Sequence, residues 1–166
     1  MQIPYRKPGK FSQLPVDPVL TSGKFAELQH NLDRLKNTVR PELAAEVARL
    51  AELGDFSENA EYQLAKGKLR GVNNRILSLE SRINRAVIIN PEKNSGFVQL
   101  GHTVTIFSLA GEKKYQILGS SETKPGQGII SHNSPVGAAL LGRTVGEKVI
   151  IKLGNKEVEY EIRKIE

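Results

Sequence analysis

The chain has 166 residues, of which 39% are hydrophobic and 25% are charged, a composition typical of one globular domain or two small ones. It contains no cysteine, which excludes disulfides, thiolate metal sites and cysteine nucleophiles, and fits a cytoplasmic protein. No apolar run reaches the ~18 residues of a membrane-spanning helix, and the N-terminal residues lack the apolar core of a signal peptide. We therefore expect no membrane partner.

The charge is unevenly distributed along the sequence. Twenty-four Lys and Arg against eighteen Asp and Glu give a net charge of +6. Residues 54–61 carry three acids and no base, whereas residues 62–86 carry six bases and one acid, which is five of the six excess positive charges. This pattern favours a polyanionic partner for one region of the chain over general binding to duplex DNA.

The N-terminal part predicts an irregular arm followed by a long helix. Residues 1–19 contain four prolines and show no periodicity, which predicts an arm without regular structure. Thr21 is placed to cap the following helix. Apolar residues then recur three and four apart, as in a coiled coil, until Pro41 removes a backbone donor and bends the helix. The helix is expected to end at Gly54.

A second amphipathic helix follows, with apolar residues at alternating spacings of four and three. They are Ala65, Leu69, Val72, Ile76, Leu79, Ile83 and Ala86. Two such helices joined by a short turn predict an antiparallel coiled-coil hairpin over residues 20–89, about 45 Å long. Gly67 and Gly71 weaken the second helix by about 1 kcal/mol each relative to alanine. They indicate either local looseness or the close approach of a partner.

The C-terminal part predicts a small β-rich domain. Residues 90–101 are rich in turn-forming residues and predict a linker. Near the C-terminal end of residues 102–166, apolar Val158, Tyr160 and Ile162 alternate with glutamates, which is typical of a sheet with one face in water. The expected strands are Thr103–Leu109, Lys113–Leu118, Gly128–His132, Lys148–Leu153 and Glu157–Ile165. A short helix is expected after Ser134 as its N-cap, with Pro135 at its first position. The expected fold class is therefore α+β.

Two carboxylates occupy the turn between the predicted helices. Asp55 and Glu58 have the spacing of a capping box, and this structural role alone accounts for them. Alternatively, two carboxylates about one turn apart offer oxygen ligands to a divalent cation such as Mg²⁺. Two ligands do not complete a site, so such a cation requires further oxygens from a partner.

The same turn carries a family resemblance. The segment Gly54–Tyr62 (GDFSENAEY) resembles the tip signature of the bacterial Gre transcript-cleavage factors, and Arg40-Pro41-Glu42 is similar to their first helix. Ser134–Gly142 (SPVGAALLG), followed by Val145-Gly146-Glu147, resembles their C-terminal motif. The motifs come in the family's order, and the resemblance covers residues 18–166, leaving out the first seventeen.

The resemblance implies a transcription elongation factor. Gre factors insert their hairpin through the secondary channel of bacterial RNA polymerase, and their C-terminal domain, with the fold of FK506-binding prolyl isomerases, docks at the channel rim. The tip acids, here Asp55 and Glu58, help to hold the second catalytic Mg²⁺ of the polymerase, which cleaves the 3′ end of backtracked nascent RNA. The resemblance therefore implies a cofactor of polymerase and not an autonomous enzyme, with Mg²⁺ held jointly and not by the isolated protein.

Two further groups of residues are candidates for contacts. Lys66, Lys68 and Arg70 follow the tip, and we predict that they contact RNA phosphates, the alternative being that they only solvate the helix. The short C-terminal helix is the predicted docking element for polymerase, the alternative being ordinary core packing. Its candidate contact residues are Ser134, Pro135, Val136 and Leu140.

Two other functions stay open. One is a Gre-like regulator that enters the channel and modulates or inhibits polymerase without cleavage, although the presence of both Asp55 and Glu58 argues against it. The other is a structural interaction module in which the tip is only a capping box. The hairpin uses the single oligomerisation seam that the sequence shows, so we expect a monomer.

Overall fold

The computed structural model describes residues 17–52, 60–92, 95–153 and 156–166. The tip turn with Asp55, Glu58 and the expected helix end at Gly54 lies outside these residues. The predicted arm also lies outside them, except for its last three residues, 17–19.

The first helix is interrupted by one wide turn. Helix α1 spans Ser22–Arg34, a π-helical turn spans Leu35–Val39, and helix α2 spans Arg40–Glu52. The N–H of Arg40 bonds to the carbonyl of Leu35, five residues back. The sequence predicted a disturbance here because Pro41 has no N–H to donate to the preceding turn. The disturbance takes the form of a π turn, which accommodates one extra residue within a continuous helix.

Helix α3 spans Ala60–Asn84 and packs antiparallel to α1 and α2. Lys36 forms an ion pair with Glu80 near one end of the hairpin, while Leu50 lies beside Ala65 near the other. The buried residues of the main cluster between the helices and the adjoining chain are Leu20, Leu28, Leu35, Ile76 and Leu79. The helical hairpin is therefore confirmed. The cap at Thr21 is also present, because its hydroxyl accepts from the N–H of Lys24 at 3.1 Å.

Two short strands close the base of the hairpin. Strand β1 (Val19–Leu20) pairs in parallel with β2 (Val87–Ile88), and the N–H of Val87 donates to the carbonyl of Pro18 at 2.8 Å. Strands of two residues carry no periodic signal, so the sequence pattern did not predict them. The end of the predicted arm, residues 17–19, is therefore part of the fold.

The C-terminal domain is a five-stranded sheet in the order β5-β4-β3-β7-β6. All five predicted strands are present, with ends that differ by at most two residues. Their bounds are β3 Thr103–Ser108, β4 Gly111–Leu118, β5 Ile129–Ser131, β6 Lys148–Leu153 and β7 Lys156–Ile165. Neighbouring strands are antiparallel except β4 and β5, which are parallel.

One face of this sheet is covered by helix α4 (Pro135–Leu140), which packs against β6 and β5. The core beneath it includes Ile106, Ile117, Leu140 and Ile162, all fully buried. Val98, from the stretch predicted as a linker, is also 1% exposed and packs in this core. Val98 therefore contributes to the core of the domain. In the part of the chain that the structure describes, no helix combines the length and apolar character needed to cross a bilayer.

Candidate functional site

The hairpin carries the helix ends that flank the predicted tip far from its base. Asp55 and Glu58 lie outside the described residues, between the last residue of α2, Glu52, and the first residue of α3, Ala60. Helix α3 has 25 residues, so its first residue is separated from β2 by roughly 37 Å of helix. The flanks of the tip turn are therefore presented at the end of a lever.

Lys66 and Arg70 lie exposed on one face of α3, close to the tip. The ammonium of Lys66 lies 5.8 Å from the centre of the Tyr62 ring, a distance at which a cation is attracted to an aromatic face. Asn73 and Leu77 continue the same face at spacings of three and four, and Leu77 is 63% exposed. This face is therefore basic near the tip and becomes neutral further along.

Arg40 of α2 extends this basic face across the hairpin. It lines the groove between the helices together with Asn37, Asn73 and Leu77. Arg40 belongs to the motif Arg40-Pro41-Glu42, and its charge and its position after the π turn place it beside the face of Arg70. It is a candidate contact residue that sequence reasoning missed.

Lys68 does not share the face of the other two predicted RNA contacts. It lines the opposite groove, together with Glu46 and Arg49 of α2. The hydrogen bond from Arg49, and more weakly the charge of Lys68, hold the pKa of Glu46 below its ordinary value. The structure therefore brings Lys66 and Arg70 together and places Lys68 on the α2 side, where its charge acts on Glu46.

The predicted docking helix α4 begins as expected. The hydroxyl of Ser134 accepts from the N–H of Gly137 at 3.0 Å and donates to the carbonyl of Ser131 at 2.6 Å. A Cβ at Gly137 would lie 2.2 Å from that same carbonyl, so only glycine allows the helix to approach β5 this closely. The sequence Ser-Pro-x-Gly thus fixes where α4 starts and how near it lies to the sheet.

The candidate docking residues divide into two groups. Pro135 is exposed and Ser134 is partly exposed at the start of α4. Leu140 is 0% exposed in the core, and Val136 packs against that core. Leu140 is corrected from a docking residue to a core residue, because its side chain has no surface left to offer a partner.

Within residues 17–52, 60–92, 95–153 and 156–166, no group of three or more His, Asp or Glu side chains is placed to hold a metal ion. His102 is buried, and its ring nitrogens contact the N–H of Gln99 and the carbonyl of Glu92.

Comparisons of the sequence with protein families and with individual proteins point to the same family. Residues 18–88 match the family described as "Transcription elongation factor, N-terminal", and residues 92–166 match "Transcription elongation factor, GreA/GreB, C-term". The chain is 38% identical over 149 residues to the transcription elongation factor GreA of Nautilia profundicola, covering 88% of this chain and 92% of the relative. It is 40% identical over 148 residues to that of Bacillus cytotoxicus, covering 87% and 93%. The solved GreA factor homolog 1 of Thermus thermophilus is 28% identical, with a TM-score of 0.39 and coverage of 89% and 97%.

Proposed function

The chain belongs to the GreA/GreB family of transcription elongation factors, and from this premise we propose that it binds bacterial RNA polymerase and stimulates cleavage of the 3′ end of backtracked nascent RNA. The observation that carries the proposal is the match of both family domains, in order, over residues 18–88 and 92–166. The hairpin supports it, because a long pair of helices suits entry into a narrow channel of the polymerase.

The tip acids supply the chemistry in this proposal. The donor set of Asp55 and Glu58 fits Mg²⁺, a hard cation that binds few protein oxygens and keeps its waters. When bound jointly with the polymerase, Mg²⁺ would supply an activated water and charge stabilisation for phosphodiester hydrolysis. The hairpin would present the two carboxylates between the end of α2 and the start of α3. The protein is therefore proposed to act as a cofactor of the polymerase and to have no cleavage activity alone.

Basic residues behind the tip are proposed to bind the extruded RNA. Lys66 and Arg70 face the same side, and Arg40 borders it, so a phosphate backbone lying along this side meets three cations. Such contacts predict an affinity that falls with added salt and does not depend on RNA sequence. Lys68 is the weaker of the original candidates, because its charge lies near Glu46.

The C-terminal domain is proposed to dock on polymerase through the exposed start of α4. Ser134 and Pro135 are accessible there, whereas Leu140 is not. We propose that the protein acts as a monomer in the cytoplasm.

A backtracked elongation complex tests the proposal. Bacterial RNA polymerase is stalled in a backtracked state with 3′-labelled RNA, and the protein is added with Mg²⁺. We expect short 3′ fragments from the wild type, and none from Asp55→Asn/Glu58→Gln, which should still bind polymerase. The matched control is Glu42→Gln/Glu52→Gln on α2, which changes charge equally and should cleave normally.

The outcomes separate the candidate functions. Unchanged cleavage by the tip variant refutes the assigned role of the two acids. Binding of the wild type to polymerase without any cleavage favours the channel regulator, and no binding to polymerase favours the interaction module.

The RNA contacts need a separate measurement. Crosslinking of the wild type to the RNA 3′ segment, measured at increasing salt, should fall more steeply than that of Lys66→Gln/Arg70→Gln. Equal salt dependence of the two proteins refutes the phosphate contacts.

A further inference from the structure

The start of the hairpin and the C-terminal domain are joined by two carboxylates that cross in opposite directions. Asp17 precedes β1 and reaches into the C-terminal domain, whereas Glu122 follows β4 and reaches back to the hairpin. Both contacts meet the short 3₁₀ turn Ser120–Glu122. Neither carboxylate has a role in the proposed chemistry at the tip.

Asp17 binds donors from both parts of the molecule. Its carboxylate accepts from the N–H of Val19 at 3.1 Å and from the N–H of Ser120 at 2.7 Å. It also contacts Nε2 of His132 at 2.8 Å. The Asp17 side chain is only 9% exposed, so water competes less for these contacts than for those of a fully exposed ion pair.

Glu122 binds Thr21, the N-cap of α1, in two ways. One carboxylate oxygen accepts from the N–H of Thr21 at 2.8 Å, and the other accepts from its hydroxyl at 2.6 Å. The same hydroxyl accepts from the N–H of Lys24 as the N-cap of α1. The carboxylate therefore lies at the positive end of the helix dipole and fixes the start of α1 to the C-terminal domain.

The backbones between these two contacts lie very close together. A Cβ at Gly119 would be 2.1 Å from the carbonyl oxygen of Val19, closer than any side chain allows. The glycine therefore lets β1 lie directly against the turn that carries Ser120 and Glu122. This close contact restricts movement of β1 relative to the turn.

The same network continues to the start of α4. The hydroxyls of Ser120 and Ser131 are 2.8 Å apart, and Ser131 accepts through its carbonyl from Ser134, the N-cap of α4. His132, which contacts Asp17, lies two residues before that cap. A chain of hydrogen bonds therefore runs from the base of the hairpin to the proposed docking helix.

We propose that Asp17 and Glu122 are positioning residues, which fix the direction of the hairpin relative to α4 and thereby place the tip when α4 is docked. The inference rests on the proposed function. A lever of this length magnifies a small rotation at its base, so loss of the two contacts moves the tip acids by far more than it moves the junction. Binding through α4 persists, while the cleavage step fails.

A distance measurement on the protein alone tests the junction. The chain has no cysteine, so Asn74→Cys on α3 and Lys113→Cys on β4, both exposed positions, accept two spin labels. Pulsed electron paramagnetic resonance then gives the distribution of distances between them. We expect a narrow distribution for the parent protein and a broadened or shifted one for Asp17→Ala/Glu122→Ala.

The matched control is Asp33→Ala/Glu112→Ala, which removes the same two side-chain types from exposed positions on α1 and β4. It should keep the parent distribution, and circular dichroism should show that both variants are folded. Gly119→Ala is an independent variant that wedges the junction apart and should also broaden the distribution. An unchanged distribution in the double variant or in Gly119→Ala overturns the inference, as does equal broadening in the control.

Cleavage on backtracked complexes tests the consequence. The double variant should keep the half-saturating concentration of the parent, while its cleavage rate at saturation falls by about tenfold or more, since misplacement by about 1 Å can cost a reaction up to a hundredfold. A variant that loses affinity but cleaves at the parent rate when saturated overturns the positioning role. The distance measurement uses no polymerase, so absence of cleavage by the parent protein would refute the proposed function and leave the junction result standing.

Discussion

Two glycines within α3 should make the hairpin less stable than its length suggests. Gly67 and Gly71 are exposed, and a methyl group at either position would meet no atom within 4 Å. Neither has the positive φ that would exclude alanine. Alanine should therefore gain the full difference in helix propensity, about 1 kcal/mol per site. An added methyl group at either site would meet no other side chain, so Gly67→Ala/Gly71→Ala should stabilise α3 by about 2 kcal/mol, the sum of the two propensity differences.

Native-state amide hydrogen exchange measures this change where it occurs. A gain of about 2 kcal/mol corresponds to a roughly thirtyfold slower exchange of those α3 amides that exchange through opening of the hairpin. Gly142→Ala is a control variant for which we expect a loss of stability instead of a gain. It has the same open space but a φ of +75°, so strain should destabilise the C-terminal domain.

The refuting result is exchange in the double variant that is unchanged or faster. If α3 is stabilised and RNA cleavage stays normal, the only effect of the glycines is to make α3 less stable. If cleavage falls although α3 is stabilised, they provide space for a close partner.

Three further predictions concern the rest of the fold. Ser134→Ala should cost about 1 kcal/mol, because α4 loses its N-cap, and should lower the thermal midpoint of the C-terminal domain; an unchanged midpoint would contradict the cap. Ile106→Ala should cost about 2–5 kcal/mol in urea unfolding, because the side chain is fully buried in the core; a smaller loss would show that the core relaxes around it. Burial raises the pKa of Asp17, but hydrogen bonds from Ser120, Val19 and His132 outweigh it, so the pKa lies below its ordinary value of 3.8. The carboxylate therefore stabilises the fold above pH 3.8, and this contribution is lost as the pH falls through the lower pKa; an Asp17→Asn variant with the same acid unfolding curve would refute this.

Elements with local signals were predictable from the sequence. Thr21 and Ser134 each predict the start of a helix, because a capping side chain is followed by apolar residues at helical spacing. Both caps are present. Strand β7 shows alternation because one of its faces is buried and the other is accessible to water. Such signals lie within a few residues of each other, so no tertiary information is needed to read them.

The remaining features depend on contacts between residues that are far apart in the sequence. Asp17 contacts His132, which is 115 residues away, and Thr21 contacts Glu122 across 101 residues. Neither pair has a sequence pattern that joins its members. Leu140 was grouped with docking residues because a motif holds core and surface positions together.

Lys68 is a different case, since helical geometry alone distinguishes it from the other cations. Each residue turns the helix by about 100°, so a residue two positions from Lys66 faces away from it. Proximity in the sequence alone does not show which cations share a face of the helix.

The double use of the Thr21 hydroxyl has a consequence for synthesis of the chain. The hydroxyl caps α1, yet it also donates a hydrogen bond to Glu122, which is synthesised 101 residues later. At a ribosomal rate of about 5–20 residues per second, that carboxylate arrives roughly 5–20 s after Thr21. The first turn of the hairpin therefore emerges with an incomplete set of hydrogen bonds, and it reaches its final stability only when the C-terminal sheet has been made.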